Sequence, residues 1–160
     1  MAANKKGAHE GYIELEFGPR WKYIACVRGF IQNFLAISIV DQTKADKIAM
    51  AASELLENAV KYASKDETHI HINVSPETEL ISISVENTAS KESINTLFKV
   101  FKKISKGDAL QTYVAQMKEA ALRNDGNSYL GLARVRFETG GDLKVNIVKD
   151  NLVRVSITIV

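Results

Sequence analysis

The sequence predicts an α+β fold: a two-layer α/β sandwich whose mostly antiparallel sheet of about five strands carries helices on one face. Segments in which apolar and polar residues alternate occur in pairs joined by short turns, a pattern typical of antiparallel hairpins. Longer segments with apolar residues every three or four positions lie between these pairs and are typical of helices with one buried face. Helices that follow one another between runs of antiparallel strands favour two layers around one core.

The first part of the chain is predicted to form one strand and two helices. Residues 12–17 alternate apolar and polar side chains, as expected for a half-buried strand. Residues 19–38 have helical spacing, and we expect Trp21 on the buried face of this helix. Asp41 can cap the next helix, whose uninterrupted apolar face continues to about residue 63 and makes it the clearest helix in the sequence.

The second part of the chain is predicted to contain two hairpins separated by helices. The predicted elements are, in order, strands 70–74 and 80–85, helices 92–104, 108–123 and 129–138, and strands 143–147 and 153–159. The helices 92–104 and 108–123 form an insert between the first hairpin and the last helix. This insert has a length suited to covering a site on the rest of the fold.

The composition is that of an ordinary globular protein and excludes several classes. The single Cys26 cannot form an internal disulfide and belongs to no zinc-binding cluster. A net charge of +2 lacks the concentrated basic surface of a nucleic-acid-binding protein. No apolar run approaches the ~20 residues that a membrane span needs. We expect a cytoplasmic protein with a disordered lead at residues 1–10 and a single domain at residues 11–160, without nucleic-acid or membrane partners.

One polar stripe of the second helix carries candidate chemistry. At about 100° per residue, Glu54, Asn58 and Lys61 fall on a narrow line opposite the apolar face. The stripe has two interpretations, a solvated helix face or a polar pocket covered by another segment. In a pocket, the carboxylate and amide oxygens can order a hard cation such as Mg²⁺, while the ammonium meets phosphate.

Residues 52–63 resemble the N box of the GHKL (Bergerat-type) ATP-binding fold shared by histidine kinases, gyrases and bacterial anti-sigma-factor serine kinases. The spacing Glu-x-x-x-Asn-Ala is nearest to the anti-sigma-factor kinases. Three further segments carry the resemblance: 28–31 to the first helix, 130–135 to the second glycine box and 140–143 to the strand behind it. The insert around residues 104–113 is similar to the SiaB-type subfamily of regulatory protein kinases.

The resemblance implies a site for ATP and Mg²⁺. Asn58 would coordinate the Mg²⁺ that bridges the nucleotide phosphates. Glu54 would be the general base that orients the attacking hydroxyl or water, and Lys61 would contact phosphate. Catalysis at such a site is mostly positioning and charge stabilisation.

The resemblance also implies a base pocket and a lid. Glu86 and Asn87 stand where the family has Asp-x-Gly, whose carboxylate accepts a hydrogen bond from the adenine amino group, so either residue would substitute. Gly126 and Gly131, followed by Leu132, would shape the lid and bring backbone N–H groups to phosphate. The segment has fewer glycines than the family's Gly-x-Gly-Leu-Gly-Leu.

The function implied is that of an ATP-binding regulatory protein of the anti-sigma-factor or serine/threonine kinase type. It would phosphorylate or sequester a small regulatory protein that is antagonist-like or sigma-factor-like, and it would form a homodimer through the first strand and helix. The alternative is a degenerate scaffold that has lost nucleotide binding through its altered glycine boxes.

The histidines point to neither a metal site nor a sensor kinase. His69 and His71 share one face of a predicted strand, and two imidazoles with no third ligand nearby fit a solvated face. The only other histidine is His9. The chain therefore lacks the histidine-bearing helix of an autophosphorylating kinase.

Overall fold

An open five-stranded antiparallel sheet with helices packed on one face forms the structure, a computed structural model that describes residues 11–39, 41–75, 77–123 and 129–160. The elements are β1 (Gly11–Phe17), α1 (Trp21–Ser38), α2 (Gln42–Tyr62), β2 (Ala63–Val74), β3 (Ile81–Ala89), α3 (Lys91–Ile104), α4 (Ala109–Leu122), α5 (Leu130–Thr139), β4 (Asp142–Lys149) and β5 (Leu152–Ile159). This arrangement confirms the predicted α+β fold. The expected N-terminal lead lies outside the described residues.

The sheet has the strand order β1-β2-β3-β5-β4, with every neighbouring pair antiparallel. Strand β2 starts at Ala63 rather than near residue 70, and its pairing with β3 is irregular between Ala63 and Thr68. Buried and half-buried residues alternate along the whole of β3, because successive side chains of a strand point to opposite faces. Val85 and Asn87 therefore face the helices, whereas Glu86 faces the other way.

Helix α2 contributes the largest part of the core that lies between the helices and the sheet. Its buried residues are Ala45, Ile48, Ala49, Ala51, Ala52, Leu55, Leu56, Ala59 and Val60. The helix begins where predicted: the Asp41 carboxylate accepts hydrogen bonds from the backbone N–H groups of Thr43 at 2.9 Å and Lys44 at 3.2 Å. Such a cap satisfies amides that have no partner inside the helix.

The prediction that Trp21 belongs to the core is wrong. The helical spacing does place Trp21 on the same face of α1 as the buried Ile24, but Trp21 is 59% exposed. Trp21 is the first residue of α1, and Lys61 near the C-terminal end of α2 lines the same cleft. At this end of the helix pair the inner face of α1 overlooks an open cleft and not the core.

The outer face of the sheet is polar. His71 stacks on Tyr12 with ring centroids 6.2 Å apart, and His69 Nδ1 lies 3.8 Å from Glu16 Oε2. Among the described residues, no group of three or more His, Cys, Asp or Glu side chains is arranged to hold a metal. Within the same part of the chain, no helix combines the length and apolarity that crossing a bilayer requires.

Gly141→Ala is expected to destabilise the fold, since Gly141 lies tightly against β5. A Cβ atom there would lie 2.7 Å from Ile157 Cγ1 and 2.8 Å from the backbone oxygen of Thr158. We expect the free energy of unfolding to fall by about 1–3 kcal/mol in urea denaturation. Gly29→Ala in α1 is the control, because an added Cβ meets nothing within 4 Å there and Ala favours helix. Equal effects of the two substitutions would contradict this packing.

Candidate functional site

An apolar cleft opens between α2, α3 and the helix-facing side of the sheet. About 410 Å³ of space lies between its walls and at its open mouth, but only about 30 Å³ of it can take the centre of a water-sized sphere, so the cleft is narrow. Its walls come from α2, β3, α3, α5 and β5, and none of the described residues that line it is charged. The few polar groups are the side chains of Asn58, Asn87 and Ser93 and two tyrosines, Tyr62 and Tyr129. A cleft of this composition suits a flat ligand with few polar groups.

The two tyrosines give this cleft an aromatic wall. The rings of Tyr62 and Tyr129 are stacked, with centroids 4.8 Å apart and an angle of 14° between their planes. Tyr129 is only 3% exposed. Burial, with a smaller effect of the neighbouring Tyr62, raises the pKa of Tyr129 well above its ordinary value, so the phenol stays neutral.

A wider, polar cleft adjoins the apolar one, with about 330 Å³ of space that can take the centre of a water-sized sphere. Glu54, Asn58 and Lys61 all line it, so the polar stripe of α2 lies in a cleft and not on a fully solvated face. The covering residues come from α1, α4 and the first turns of α5, namely Trp21, Tyr113, Leu130, Gly131 and Arg134. The predicted insert thus contributes one helix, α4, to the cover.

Glu54 is held by α5 at two points one turn apart. The Arg134 guanidinium donates a hydrogen bond to Glu54 Oε1 at 3.3 Å. A Cβ atom on Gly131 would overlap the Glu54 carboxylate, so the absence of a side chain at Gly131 makes room for that group. The Arg28 guanidinium donates a hydrogen bond to Glu57 Oε1 at 2.6 Å. The arginine that pairs with Glu54 is therefore Arg134.

The Glu54 side chain is 23% exposed, and its protonation reflects this position. Burial raises the pKa of the Glu54 carboxyl above its ordinary value, and the negative charge of Glu57 raises it further. The positive charges of Arg134 and Arg28 act in the opposite direction but do not cancel the rise. Glu54 is therefore a better proton acceptor than an exposed glutamate.

Asn58 lies where the two clefts meet, since it lines both. Its Nδ2 atom is buried and has no hydrogen-bond partner in the described structure. A buried polar group without a partner costs about 1–3 kcal/mol, and most such groups are satisfied by protein, water or a ligand. The amide of Asn58 is therefore available to a ligand that spans both clefts.

The remaining residues expected at the site fall in different places. Asn87 lines the apolar cleft, where its Nδ2 atom donates to the Thr88 carbonyl oxygen at 3.4 Å. Glu86 points to the other face of the sheet and is paired with Arg154 of β5, so the sheet separates it from the cleft. Leu132 is fully buried and lines the apolar cleft. Gly126 lies outside the described residues.

Several cleft residues escaped prediction from the sequence, among them Trp21, Tyr62, Tyr129 and Arg134. Tyr62 directly follows the stripe residue Lys61, and Tyr129 directly precedes α5. Arg134 lies one turn beyond Gly131, a spacing that places both on one side of a helix and was available as a signal. For Trp21 and Tyr62 the sequence offers no such signal, because any aromatic residue at helical spacing fits a core equally well.

A second polar cleft lies on the other side of Glu54, between α1 and α2. It shares Glu54, Glu57 and Arg134 with the first and extends along Arg28, Gln32, Asp46, Ala49, Met50 and Ser53. These three shared residues form the wall between the two clefts. The Glu54 carboxylate can therefore be approached from two directions.

Comparison with known proteins identifies the family. A model of the histidine kinase-like ATPase domain matches residues 17–98, just over half of the chain, and the chain belongs to this family. A chain in the crystal structure of the SiaB–SiaC complex from Pseudomonas aeruginosa has the same fold, with a TM-score of 0.66 and 14% identity over 92% of this chain and 88% of that chain. No curated protein matches the sequence. The matched segment contains Glu54 and Asn58, whereas α5 lies beyond it.

Glu54→Gln is expected to raise the free energy of unfolding at pH 7.5. Because the pKa of Glu54 is higher in the folded protein than its ordinary value of 4.5, the folded state binds the proton more tightly. Stability is then lost as pH rises from below 4.5 through the folded pKa, and an uncharged amide avoids this loss. The gain should shrink below pH 4.5, as measured by urea denaturation at pH 7.5 and pH 4.

Glu119→Gln is the control, because its free energy of unfolding is expected to change in the opposite direction. The hydrogen bond from Lys103 lowers the pKa of the Glu119 carboxyl, so its stabilisation is present at neutral pH and is lost as pH falls. This variant should lose stability at pH 7.5. Equal signs for the two variants would show that the environment of Glu54 has been misassigned.

Proposed function

We propose that residues 11–160 form a single domain that binds ATP with Mg²⁺ and serves as a regulatory serine/threonine protein kinase of the anti-sigma-factor type. The observation that carries the proposal is the position of Asn58 at the junction of the two clefts, one helical turn from Glu54, with its buried Nδ2 atom lacking a partner in the described structure. Membership of the histidine kinase-like ATPase family implies nucleotide binding, which agrees with this geometry.

The two clefts suit the two ends of a nucleotide. The base enters the apolar cleft, against the stacked Tyr62 and Tyr129 and the amide of Asn87. The phosphates occupy the polar cleft, where Lys61 supplies positive charge and the N-terminal turn of α5 at Gly131 supplies backbone N–H groups. Asn58 lies between them, beside the phosphates.

The donor groups of the polar cleft fit Mg²⁺. Asn58 would hold the ion through its amide oxygen, since hard cations prefer oxygen ligands and Mg²⁺ usually takes one or two from protein. When bound, the ion neutralises charge on the phosphates. The Nδ2 atom, which has no partner in the described structure, then remains available to donate to phosphate or water.

Glu54 serves as the general base of the transfer. Its carboxylate accepts the proton of a serine or threonine hydroxyl while that oxygen forms a bond to the γ-phosphorus and the bond to ADP breaks. Arg134 holds the carboxylate at 3.3 Å, so the base is oriented before the acceptor arrives. The pKa of the Glu54 carboxyl is raised and so lies closer to neutral pH than that of an exposed glutamate, which favours its use as a general base.

The acceptor is a small regulatory protein, antagonist-like or sigma-factor-like, that presents its hydroxyl from the α1 side. The second cleft leads to Glu54 from that side, and Glu54, Glu57 and Arg134 separate it from the polar cleft proposed for the phosphates. The fold shared with a chain of the SiaB–SiaC complex supports a protein partner.

We propose cytoplasmic localisation, with neither nucleic acid nor a membrane among the partners.

A second copy of the chain is the proposed partner of the β1 edge. Strand β1 ends the sheet, and its outer edge has no neighbouring strand among the described residues. Beside it, α1 exposes Tyr23, Phe30 and Ile37, which are spaced seven residues apart and so lie near one line of the helix. An exposed apolar line next to an open strand edge is a surface that dimerisation covers.

A scaffold that binds proteins without nucleotide is the second candidate function. It is favoured by one observation: the base end of the cleft holds the neutral Asn87, whereas the acidic Glu86 faces away. Absence of ATP binding at millimolar concentration, with and without Mg²⁺, would support this function over the kinase.

Asn58→Ala is expected to weaken Mg-ATP binding at least about 100-fold, because the substitution removes the metal ligand at the junction of the clefts. Calorimetric titration with ATP, with and without Mg²⁺, measures the change. Asn146→Ala is the control, since Asn146 is exposed on the outer face of β4 and its loss should leave the Kd unchanged. Similar Kd values for the two variants would exclude Asn58 from the site.

The Glu54→Ala variant is expected to bind Mg-ATP with a Kd within about threefold of that of the unsubstituted protein. Its rate of transfer or hydrolysis of the γ-phosphoryl group should fall by about 100-fold or more, because the general base is lost. Release or transfer of radiolabelled phosphate measures the second effect. Turnover equal to that of the unsubstituted protein would refute the role of Glu54 as the base.

Phe30→Glu is expected to convert a dimer into a monomer, because it places a charge in the apolar line of α1. Light scattering after size exclusion should show a mass change from twice 17.7 kDa to 17.7 kDa. Ala25→Glu, exposed on another side of the same helix, should leave the dimer intact. A monomer before any substitution would contradict the proposed interface.

A further inference from the structure

Helix α4 exposes apolar residues and buries a polar one. Its buried residue is Gln116, whereas Leu110 is 49% exposed, Met117 41% and Leu122 87%. A surface helix ordinarily turns its apolar side to the core, and α3 does so. The apolar side of α4 therefore lies open, with no cover from the part of the chain that the structure describes.

Most of these apolar residues form one line. Leu110, Val114, Met117 and Ala121 follow one another at spacings of three and four, and this line is the α4 stripe. Val114 is half-buried, and the other three residues are exposed. Side chains at this spacing leave grooves into which the side chains of a second helix pack. The shape of the α4 stripe thus fits a helix.

Contacts with α5 hold α4 in this orientation. The ring of Tyr113 stacks on that of Phe137 of α5, with centroids 5.5 Å apart. The Arg136 guanidinium of α5 donates hydrogen bonds to the carbonyl oxygens of Ile104 and Gly107, each at 2.7 Å, and so fixes the turn between α3 and α4. The α4 stripe cannot rotate inward without breaking these contacts.

The surroundings of the α4 stripe are positively charged. Residues 91–123 contain seven Lys and Arg but three Asp and Glu. Two of these carboxylates are already engaged, because Asp108 caps α4 and Glu119 is paired with two basic residues. Lys106, just before α4, and Lys118, beside the α4 stripe, form no ion pair with a described residue. An acidic surface is the electrostatic complement of this one.

We propose that the α4 stripe is the docking site of a partner protein's helix that carries an apolar line edged by aspartate and glutamate. The apolar side chains of that helix pack along the stripe, and its carboxylates meet Lys106 and Lys118. This partner differs from the acceptor of the proposed phosphoryl transfer, which approaches through the cleft between α1 and α2. It docks beside the polar cleft, because Tyr113 of the same helix lines that cleft.

The composition of α4 favours a protein over a lipid surface. Helices that lie on membranes carry many lysines and arginines along their polar face. Helix α4 carries one basic residue, Lys118, and the acidic Glu119 follows it directly. The apolar line with few charges of its own is typical of a surface that another helix covers.

Calorimetric titration of the full chain with a synthetic helical peptide tests the proposal. The peptide has about three heptads, with leucine along one line and glutamate on both sides of it. A matched peptide has lysine in place of glutamate. The glutamate peptide should bind with a Kd at least about tenfold lower than that of the lysine peptide, because the insert repels the second.

Met117→Glu is expected to weaken binding of the glutamate peptide at least about tenfold, because it places a like charge in the middle of the α4 stripe. Ala115→Glu is the matched control, since it adds the same charge at an exposed position of α4 away from the stripe. Its Kd should stay within about threefold of that of the unsubstituted protein. Thermal unfolding checks that both variants fold, and Leu110→Gln replaces Met117→Glu if that variant does not.

Three results would overturn the proposal: no binding of the glutamate peptide, a preference for the lysine peptide, or equal Kd values for Met117→Glu and Ala115→Glu. Sedimentation with vesicles of phosphatidylserine and phosphatidylcholine that Met117→Glu abolishes would also overturn it, because the α4 stripe would then bind a membrane. The titrations contain no nucleotide, so their failure leaves the proposed ATP site standing. Conversely, failure to bind ATP leaves this docking site standing.

Discussion

The packing of α2 against the sheet is the constraint on which the site depends. Small alanine side chains alternate with leucine and isoleucine along the buried face of α2, so the helix lies close to β2 and β3. Because the buried face of α2 is held against the sheet, the directions in which its other side chains point are fixed as well. Glu54 and Asn58 must then project to the side, between the helices, where both line the polar cleft and Asn58 also lines the apolar cleft. One packing contact thereby orients both functional groups.

The site brings two like charges and a polar atom without a partner close together on α2. Glu54 and Glu57 lie within one turn of each other on α2, and each is paired with an arginine from another helix, Glu54 with Arg134 and Glu57 with Arg28. The Asn58 amide is buried with one atom unpartnered in the described structure. Polar groups arranged at a cost to stability are typical of positions kept for binding or chemistry.

Most of the fold was predictable because its signals are local. Alternation along the strands, helical spacing and the Asp41 cap each require only neighbouring residues, and all three are present in the structure. Glu54 and Asn58 could be singled out for the same reason, since one helix carries both. Trp21 and Arg134 come to the cleft from distant segments, and their placement depends on how helices meet.

The choice between Glu86 and Asn87 shows the same limit in a strand. Adjacent residues of a strand point to opposite faces, so identifying the one that enters the cleft requires the register of β3 against its neighbours. Residue type alone favours the acidic candidate, and the register selects the neutral one.

The exposure of Trp21 has a consequence for observing the molecule. The chain contains one tryptophan, and it stands at the rim of the polar cleft. All tryptophan fluorescence of the protein therefore originates beside Lys61 and Tyr113. The wavelength of its emission maximum depends on the polarity of this cleft. The fold thus carries a built-in optical probe at this cleft, which makes its filling visible without a label or an added chromophore.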